Sequence, residues 1–510
     1  MSLVSKVGRK RPRARIALFT LYTILTIGAV TTLYPFMLMV STGLKGPTDQ
    51  NDVSIIPTYF SESKELLAKY VDDKYSGDEG QIISTRALKS SDNAVDYGKF
   101  LESLPSEQWV AGFKQAPNQV TSRLNEKYQS WLRAKFGSIE KLNKAYIEEN
   151  VAFQTVLPPS EALDRVTWKP MPGTKYTEWL EFKKTLPAEF RIPIRTTRMW
   201  QDFLKIKFKN RFEEVPAELR TSEASRFEEL VIPKVIAPDV WQEFQTKVPD
   251  RFKKGTAEES FRRQYGSEMP IAFVESEHVR KFGTTIRNEF ASRNYRYVVD
   301  YILIHGRAVL NTLIFCGLAI LTQLIVNPLA AYALSRYPIR ASGKILLFLL
   351  ATMAFPAEVA MIPSFLLLKE LGLLNTFAAL ILPGAASGYM IFLLKGFFDS
   401  LPAELYEAGQ LDGAPETTLL MRIAVPLSRP VLGYLALMAF MASYSTFMFA
   451  FLVAQDQKMW TLMVWVYQLQ TSAPKAVVMA ALALAALPTL MVFLFAQKVI
   501  MKGIVLPGER

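Results

Sequence analysis

The sequence predicts an all-α membrane protein, with six transmembrane helices and a large, mainly helical extracytoplasmic insert between the first and the second. Two observations carry this prediction. Residues 1–45 and 307–510 are mostly apolar, whereas 46–300 are dense in Lys, Glu, Arg and Asp. The apolar regions also contain six stretches long enough to cross a bilayer: Ile16–Val40, Ala308–Leu334, Lys344–Leu366, Thr376–Phe398, Pro430–Ala454 and Val477–Ile500. A hydrocarbon core takes about 20 residues of helix, because nothing there but the helix itself satisfies the backbone. The mean hydropathy of +0.14 averages these two unlike regions.

The first stretch follows Lys6, Arg9, Lys10, Arg11, Arg13 and Arg15, a charged start of the kind that opens a signal peptide. Its apolar run is too long for a signal, no small-x-small cleavage site follows, and Tyr34-Pro35 lies inside it, so a retained helix is expected. Loop charge then sets orientation. Arg336, Arg340 and Lys344, then Lys395, Arg422 and Arg429, then Lys498, Lys502 and Arg510 fall on one side, against Lys369, Lys458 and Lys475 on the other. Basic loops stay in the cytoplasm. Both termini are expected there and the insert outside. The domain expectation is 1–45 as N-terminus and first helix, 46–300 as insert, and 301–510 as the remaining helices.

The formal charge of +12 does not indicate a nucleic-acid partner: much of the excess lies beside apolar segments, and no basic-aromatic reading motif accompanies it. The lone cysteine, Cys316, excludes an internal disulfide, and with only His278 and His305 a His/Cys metal site is not expected.

Within the insert a signature recurs: "YGKFLESLP" (97–105), "WLEFKKTLP" (179–187) and "WQEFQTKVP" (241–249), each an aromatic, then Phe three residues on and Pro eight on. After the first two come "YQSWLRAKF" (128–136) and "WQDFLKIKF" (200–208); a weaker "SFRRQYGS" (260–267) follows the third. Aromatic and aliphatic positions three and four apart predict short amphipathic helices, arranged in about three related units. The shared aromatics are expected to form a core rather than a sugar-stacking surface. "YQSWLRAKFGSIEKLNKAYIEE" (128–149) faintly resembles a helical stretch of some β-galactosidases, and no pair of carboxylates stands out as acid and nucleophile.

Between the fourth and fifth apolar stretches runs "EAGQLDGAPETTLLMRIAVPLSRP" (407–430). Pro402 can start a helix through Ala408, Gly413-Ala414-Pro415 breaks it, and a second short helix leads to Pro426 and Pro430. Small residues at Ala408, Gly409, Gly413 and Ala414 would let a partner's backbone approach, while Glu407 and Asp412 could meet its cations or cap the element's own helices.

This stretch resembles the E-A-A loop of permease subunits of bacterial ABC importers, whose pattern is E-A-A, three residues, G, nine residues, I, any residue, L, P. Glu407, Ala408, Gly413, Ile423 and Pro426 match at that spacing, with Gly409 for the second alanine and Val425 for the leucine. "YPFMLMVSTGLK" (34–45), "NTLIFCGLAILTQLIVNPLAAYALSRYPIRASG" (311–343), "IPSFLLLKELGLLNTFAALILP" (362–383) and "LAALPTLMVFLFAQKVIMKGI" (484–504) resemble the carbohydrate-importer branch. The resemblance implies a coupling loop at 400–428 that docks on a nucleotide-binding subunit. It further implies a second permease subunit (a heterodimer), two ATPase subunits that use ATP and Mg, and a solute-binding protein that delivers a sugar. No G-x-x-x-x-G-K-[ST] loop is present, so the chain is expected to be a transport subunit rather than an enzyme and to bind no cofactor itself.

Polar groups inside membrane helices are costly and mark pathways by default. Gln323 and Asn327 lie one turn apart, Glu358 sits in the third stretch, Tyr389 in the fourth, and Ser443, Tyr444, Ser445 and Thr446 cluster in the fifth. Hydroxyls, amides and aromatic faces without strong charge suit a sugar; interhelical hydrogen bonding is the alternative for each. Relatives commonly carry a Trp-Asn-acidic run where "SYSTF" (443–447) stands here. Two other functions compete with the importer: a transporter fused to a polysaccharide-binding or polysaccharide-cleaving extracytoplasmic domain, and an ion-driven secondary transporter, which the few intramembrane carboxylates disfavour.

Overall fold

The computed structural model describes residues 12–75, 83, 93–113, 123–150, 152–171, 173–220, 224–304, 307–352, 354 and 356–503. Lys6, Arg9, Lys10 and Arg11 of the basic leader, with Arg510, lie outside them. The chain divides into two compact units, Met1–Tyr297 with Ala473–Ala480, and Val298–Ser472 with Ala481–Arg510.

The first unit begins with the helix Pro12–Gly43, which carries Pro35 inside it. Each copy of the insert's signature then folds the same way. The helices Ala94–Ser103, Thr174–Lys184 and Pro238–Lys247 all stop just before a proline, which disfavours helical geometry in the residue preceding it. A 3-10 turn follows each, Ser106–Gln108, Ala188–Phe190 and Asp250–Phe252. One bond recurs in all three turns: Gln108 N–H to the Pro105 carbonyl (2.9 Å), Phe190 to Pro187 (3.0 Å) and Phe252 to Pro249 (2.8 Å). The first two turns continue into β1 (Trp109–Ala111) and β2 (Arg191–Pro193), which pair antiparallel with Trp109 opposite Pro193.

A second helix follows in each copy, Arg123–Phe136, Thr196–Lys207 and Ala257–Tyr265. In the first two of these the identical glutamine does identical work. Gln129 Nε2 donates to the Gln154 and Val156 carbonyls (3.0 and 3.1 Å), and Gln201 Nε2 to those of Glu228 and Leu230 (2.9 and 2.8 Å). The acceptors lie in, or directly after, the 3-10 turns Phe153–Thr155 and Phe227–Glu229, whose phenylalanines are both buried. Tyr97, Phe100, Trp179, Phe182 and Phe244 are buried in the core, whereas Trp241, heading the third copy, is exposed.

Buried charges are paired throughout this unit, as a low-dielectric interior requires. Arg293 forks onto Asp73 at 3.0 and 2.8 Å, Lys74 meets Glu275 at 2.6 Å, and fully buried Lys183 donates to the Ser106 and Trp109 carbonyls and to Glu161. Burial lowers the Lys183 pKa, and Glu161 opposes that shift. Asn294, on the long helix Ile271–Val298, donates to the carbonyls of Gly43 (2.9 Å) and Lys45 (2.7 Å), so the two ends of the insert are held side by side.

The second unit is built around the helix Ala308–Arg336. Among the described residues, three helices are long and apolar enough to cross a membrane singly, Arg15–Gly43, Ala308–Arg336 and Lys475–Gln497, and up to five spans result if each bent pair counts as one. The expected third span is built of two helices, Ser342–Thr352 and Ala357–Glu370, the second preceded by Pro356, which has no N–H to offer a preceding turn. The expected fourth is a pair, Phe377–Gly384 and Gly388–Asp399, bent by 51°. The expected fifth ends as a helix at Ser445, where Thr446 turns extended, and resumes as Met448–Val453. Gly388 permits the close approach at the bent pair, since a Cβ there would lie 2.5 Å from the Leu349 carbonyl oxygen.

Candidate functional site

The E-A-A stretch folds as a helical hairpin. Its first helix is Ala403–Leu411, preceded by Pro402. Two bonds close it, Gly413 N–H to the Gln410 carbonyl and Ala414 N–H to that of Gly409, both 3.0 Å. This pairing is a Schellman stop, and it requires a left-handed residue at Gly413, whose φ is +74°. Open space surrounds Gly413, so its glycine answers to backbone conformation rather than to crowding. The second arm runs Glu416–Leu419, a π turn Leu420–Ala424 and Val425–Leu427, before an 81° bend into Arg429–Ser445.

Gly409 faces inward. A Cβ on it would stand 2.5 Å from a methyl of Leu419 and 3.4 Å from one of Ile423, both in the other arm. Its lack of a side chain is thus used in close packing within the hairpin itself. Glu407, Ala408 and Asp412 are exposed, as are the apolar Leu411 (89%) and Met421 (62%), while Ala414, Ile423 and Pro426 are half-buried.

The hairpin is bracketed to Ala308–Arg336 by residues that the motif does not contain. The Arg336 guanidinium lies 3.6 Å from the centroid of the Tyr406 ring, and its Nη2 donates to the Phe398 carbonyl. Tyr332 OH donates to Glu416 at 2.8 Å. Tyr406 is itself buried, among Tyr332, Phe398 and Leu419. Tyr332 and Arg336 fall one turn apart on their helix, a spacing visible in the sequence but without meaning until the loop is placed against it.

The polar path residues are not gathered into one site. Asn327 is buried and structural: its Oδ1 accepts from the Ser387 N–H (2.8 Å) at the bend between Phe377–Gly384 and Gly388–Asp399, and its Nδ2 donates to the Gln323 carbonyl (2.9 Å). A break in a membrane helix survives only where such partners replace the lost ladder. Tyr444 OH donates to the Ala485 carbonyl (2.6 Å), and Ser445 and Thr446 return to the carbonyls of Met441 and Ala442. Tyr389 and Tyr434 pack against the same core, and Glu358 is exposed. Ser443 is buried without a side-chain bond among those described, and the side-chain oxygen of Gln323 is buried without a partner.

Long apolar helices, and a bent pair held at its break by the buried amide of Asn327, are features of an integral membrane protein. The chain belongs to the family described as binding-protein-dependent transport system inner membrane component, whose model matches residues 326–505. It is therefore an integral inner-membrane protein. It is 34% identical to the trehalose/maltose transport system permease protein MalG of Thermococcus litoralis, covering 41% of this chain and 78% of that one. To the polygalacturonan/rhamnogalacturonan transport system permease protein YtcP of Bacillus subtilis it is 29% identical, covering 46% and 87%. To the lactose transport system permease protein LacG of Rhizobium radiobacter it is 31% identical, covering 44% and 80%. A solved bacterial ABC transporter involved in import of the acidic polysaccharide alginate shares 27% identity over 40% of this chain and 78% of its own, with a TM-score of 0.37.

Proposed function

We propose that this chain is the permease subunit of an ATP-driven ABC importer, forming the translocation pathway for a carbohydrate. The observation that carries the reading is the family match over 326–505, which takes in both the hairpin and its Arg336 bracket. Relatives whose names specify trehalose/maltose, lactose and polygalacturonan support a sugar as cargo. A second permease subunit completes the pathway, a solute-binding protein delivers the cargo, and two separate ATPase subunits use ATP and Mg²⁺. Glu407, Ala408, Asp412 and Leu411 form the face that meets the ATPase, while Gly409, Gly413, Ala414, Ile423 and Pro426 hold that face in shape. Counting the split third stretch as one crossing gives six spans, with both termini and the hairpin in the cytoplasm and residues 46–300 outside. Gln323 and Ser443, whose polar atoms are uncommitted, are the path residues best placed to meet cargo, with Asn327, Tyr389, Tyr444, Ser445 and Thr446 shaping the helices around them and Glu358 at a helix start.

Reconstitution in liposomes with the products of neighbouring genes tests this reading. Sugar uptake should require ATP, the ATPase and the binding protein; uptake that persists without the ATPase refutes it and favours an ion-driven carrier. A second reading, a transporter fused to a polysaccharide-binding or polysaccharide-cleaving domain, draws on a cavity in the insert lined by Arg123, Glu126 and Trp131.

A further inference from the structure

A cavity of about 690 Å³ opens in the insert, between the helix Arg123–Phe136, the turn after Thr174–Lys184 and the helix Ile271–Val298. Its volume lies within the range of small-molecule sites, roughly 300–1,000 Å³. The wall combines two kinds of surface. Trp131, Phe182 and Phe190 supply an apolar side, with Trp131 half-exposed and its N–H free of any protein acceptor among the described residues. Arg123, Glu126, Lys127, Glu189 and Glu289 supply a polar one.

The charged groups differ in how far they are committed. Arg123 bridges Glu189 and Glu289, which fixes three of the five. Glu126 is an exposed carboxylate with no ion-pair partner among the described residues. Lys127 lies 5.3 Å over the Phe190 ring and likewise has no carboxylate partner there. The pocket therefore offers an uncommitted acceptor, an uncommitted ammonium donor and an indole N–H beside an apolar wall. Two cations against three carboxylates leave it slightly negative, which disfavours an anion.

We infer that this cavity is a binding site for a neutral oligosaccharide, held by hydroxyl hydrogen bonds to Glu126 and Lys127 and by apolar contact with Trp131. Alternating donors and acceptors around an aromatic edge match the ring of hydroxyls and the C–H faces of a sugar. Most of the repeat's aromatics are buried in the core, whereas Trp131, on the second helix of the first copy, stays half-exposed at the cavity with Lys135 Nζ 4.7 Å from its ring centroid. Exposure of the site to extracytoplasmic sugar rests on the orientation proposed above, but binding itself does not.

The test uses the full chain in lipid nanodiscs, titrated calorimetrically with maltotriose, cellotriose and β-1,4-galactotriose, with trigalacturonate as the charged comparison. At least one neutral trisaccharide should bind with a Kd tighter than about 1 mM. Trp131→Ala and Glu126→Gln should each weaken it at least tenfold, Trp131→Phe should restore most of the loss, and the melting temperature of Glu126→Gln should match that of the unaltered chain. Absence of binding by all three neutral sugars, equal or tighter binding of trigalacturonate, or unchanged affinity in both variants would overturn the inference. So would loss of binding in a Gln323→Ala, Ser443→Ala double variant with intact affinity in Trp131→Ala, which would put the ligand in the membrane path. Intact binding with no ATP-dependent uptake would strike the importer reading alone.

Discussion

The guanidinium of Arg336 lies 3.6 Å from the centre of the Tyr406 ring, and Tyr406 is the residue immediately before Glu407. The last turn of one long apolar helix thus grips the first helix of the hairpin at the root of its E-A-A sequence. A planar cation over an aromatic face contributes about 0.5–2 kcal/mol, more when water is excluded.

Arg336→Ala should therefore free the hairpin without disturbing membrane insertion. Transport, and sugar-stimulated ATPase activity in the reconstituted complex, should fall roughly 5- to 30-fold, the factor corresponding to about 1–2 kcal/mol. Arg336→Lys should recover little, because an ammonium neither stacks flat on Tyr406 nor offers Nη2 to the Phe398 carbonyl.

Gly413 is held at φ +74°, where a side chain carries a backbone penalty of about 1–2 kcal/mol. Gly413→Asn should be tolerated better than Gly413→Ala, and Gly413→Val should uncouple ATP hydrolysis from uptake most severely. Equal transport by all three would show that the Schellman stop does not set the hairpin's shape.

Asn327 accepts from the Ser387 N–H at the bent helix pair, so Asn327→Ala strands a buried donor at a cost of about 1–3 kcal/mol. Lower thermal stability with unchanged KM for sugar is expected. A change in KM with stability intact would return Asn327 to the substrate path.

Gly388→Ala places a methyl 2.5 Å from the Leu349 carbonyl oxygen, and backbone cannot swing aside as a side chain can. A melting temperature lowered by several degrees is expected, whereas Gly396→Ala, with nothing within 4 Å of the added Cβ, should be silent.

Glu189 gives the insert a pH signature. Burial pushes its carboxyl up, but His278 and Arg123 more than offset this and hold it down at about 2, against an ordinary 4.5. A depressed carboxylate pKa adds stability that is fully present above about pH 4.5 and is lost as pH falls toward 2. Tryptophan fluorescence should report acid loosening of the insert across that window, and Glu189→Gln should flatten the profile there.

The helical class, the insert's helices and the hairpin's two arms were legible in the sequence because each rests on local pattern: apolar length, aromatic spacing, and Pro or Gly at the ends. The role of Gly409 was not, since a glycine in a loop looks the same whether it welcomes a partner or, as here, accommodates Leu419 of the other arm. The break within the third span was not legible, because hydropathy sums over Pro356 without registering the N–H it lacks. Asn327 and Tyr444 read as path candidates because a polar residue in an apolar run does not reveal its partner; the Ser387 N–H and the Ala485 carbonyl lie 60 and 41 residues away in the chain. The repeat extended further than its signature, for the turns Phe153–Thr155 and Phe227–Glu229 share little sequence and are united by the glutamine that reaches them.

Asn294 has a consequence for how such a chain tolerates its own size. One side chain touches the carbonyls of Gly43 and Lys45, so the polypeptide leaves for the insert and returns from it at nearly the same point. Loop-closure entropy grows only with the logarithm of loop length, and an excursion whose ends are already tied adds almost none to the helices it interrupts. The insert is in this sense a cassette on a two-strand stem. Exchanging it for a short turn or for another globular module, cut at Lys45 and Asn294, should therefore leave the membrane helices able to insert.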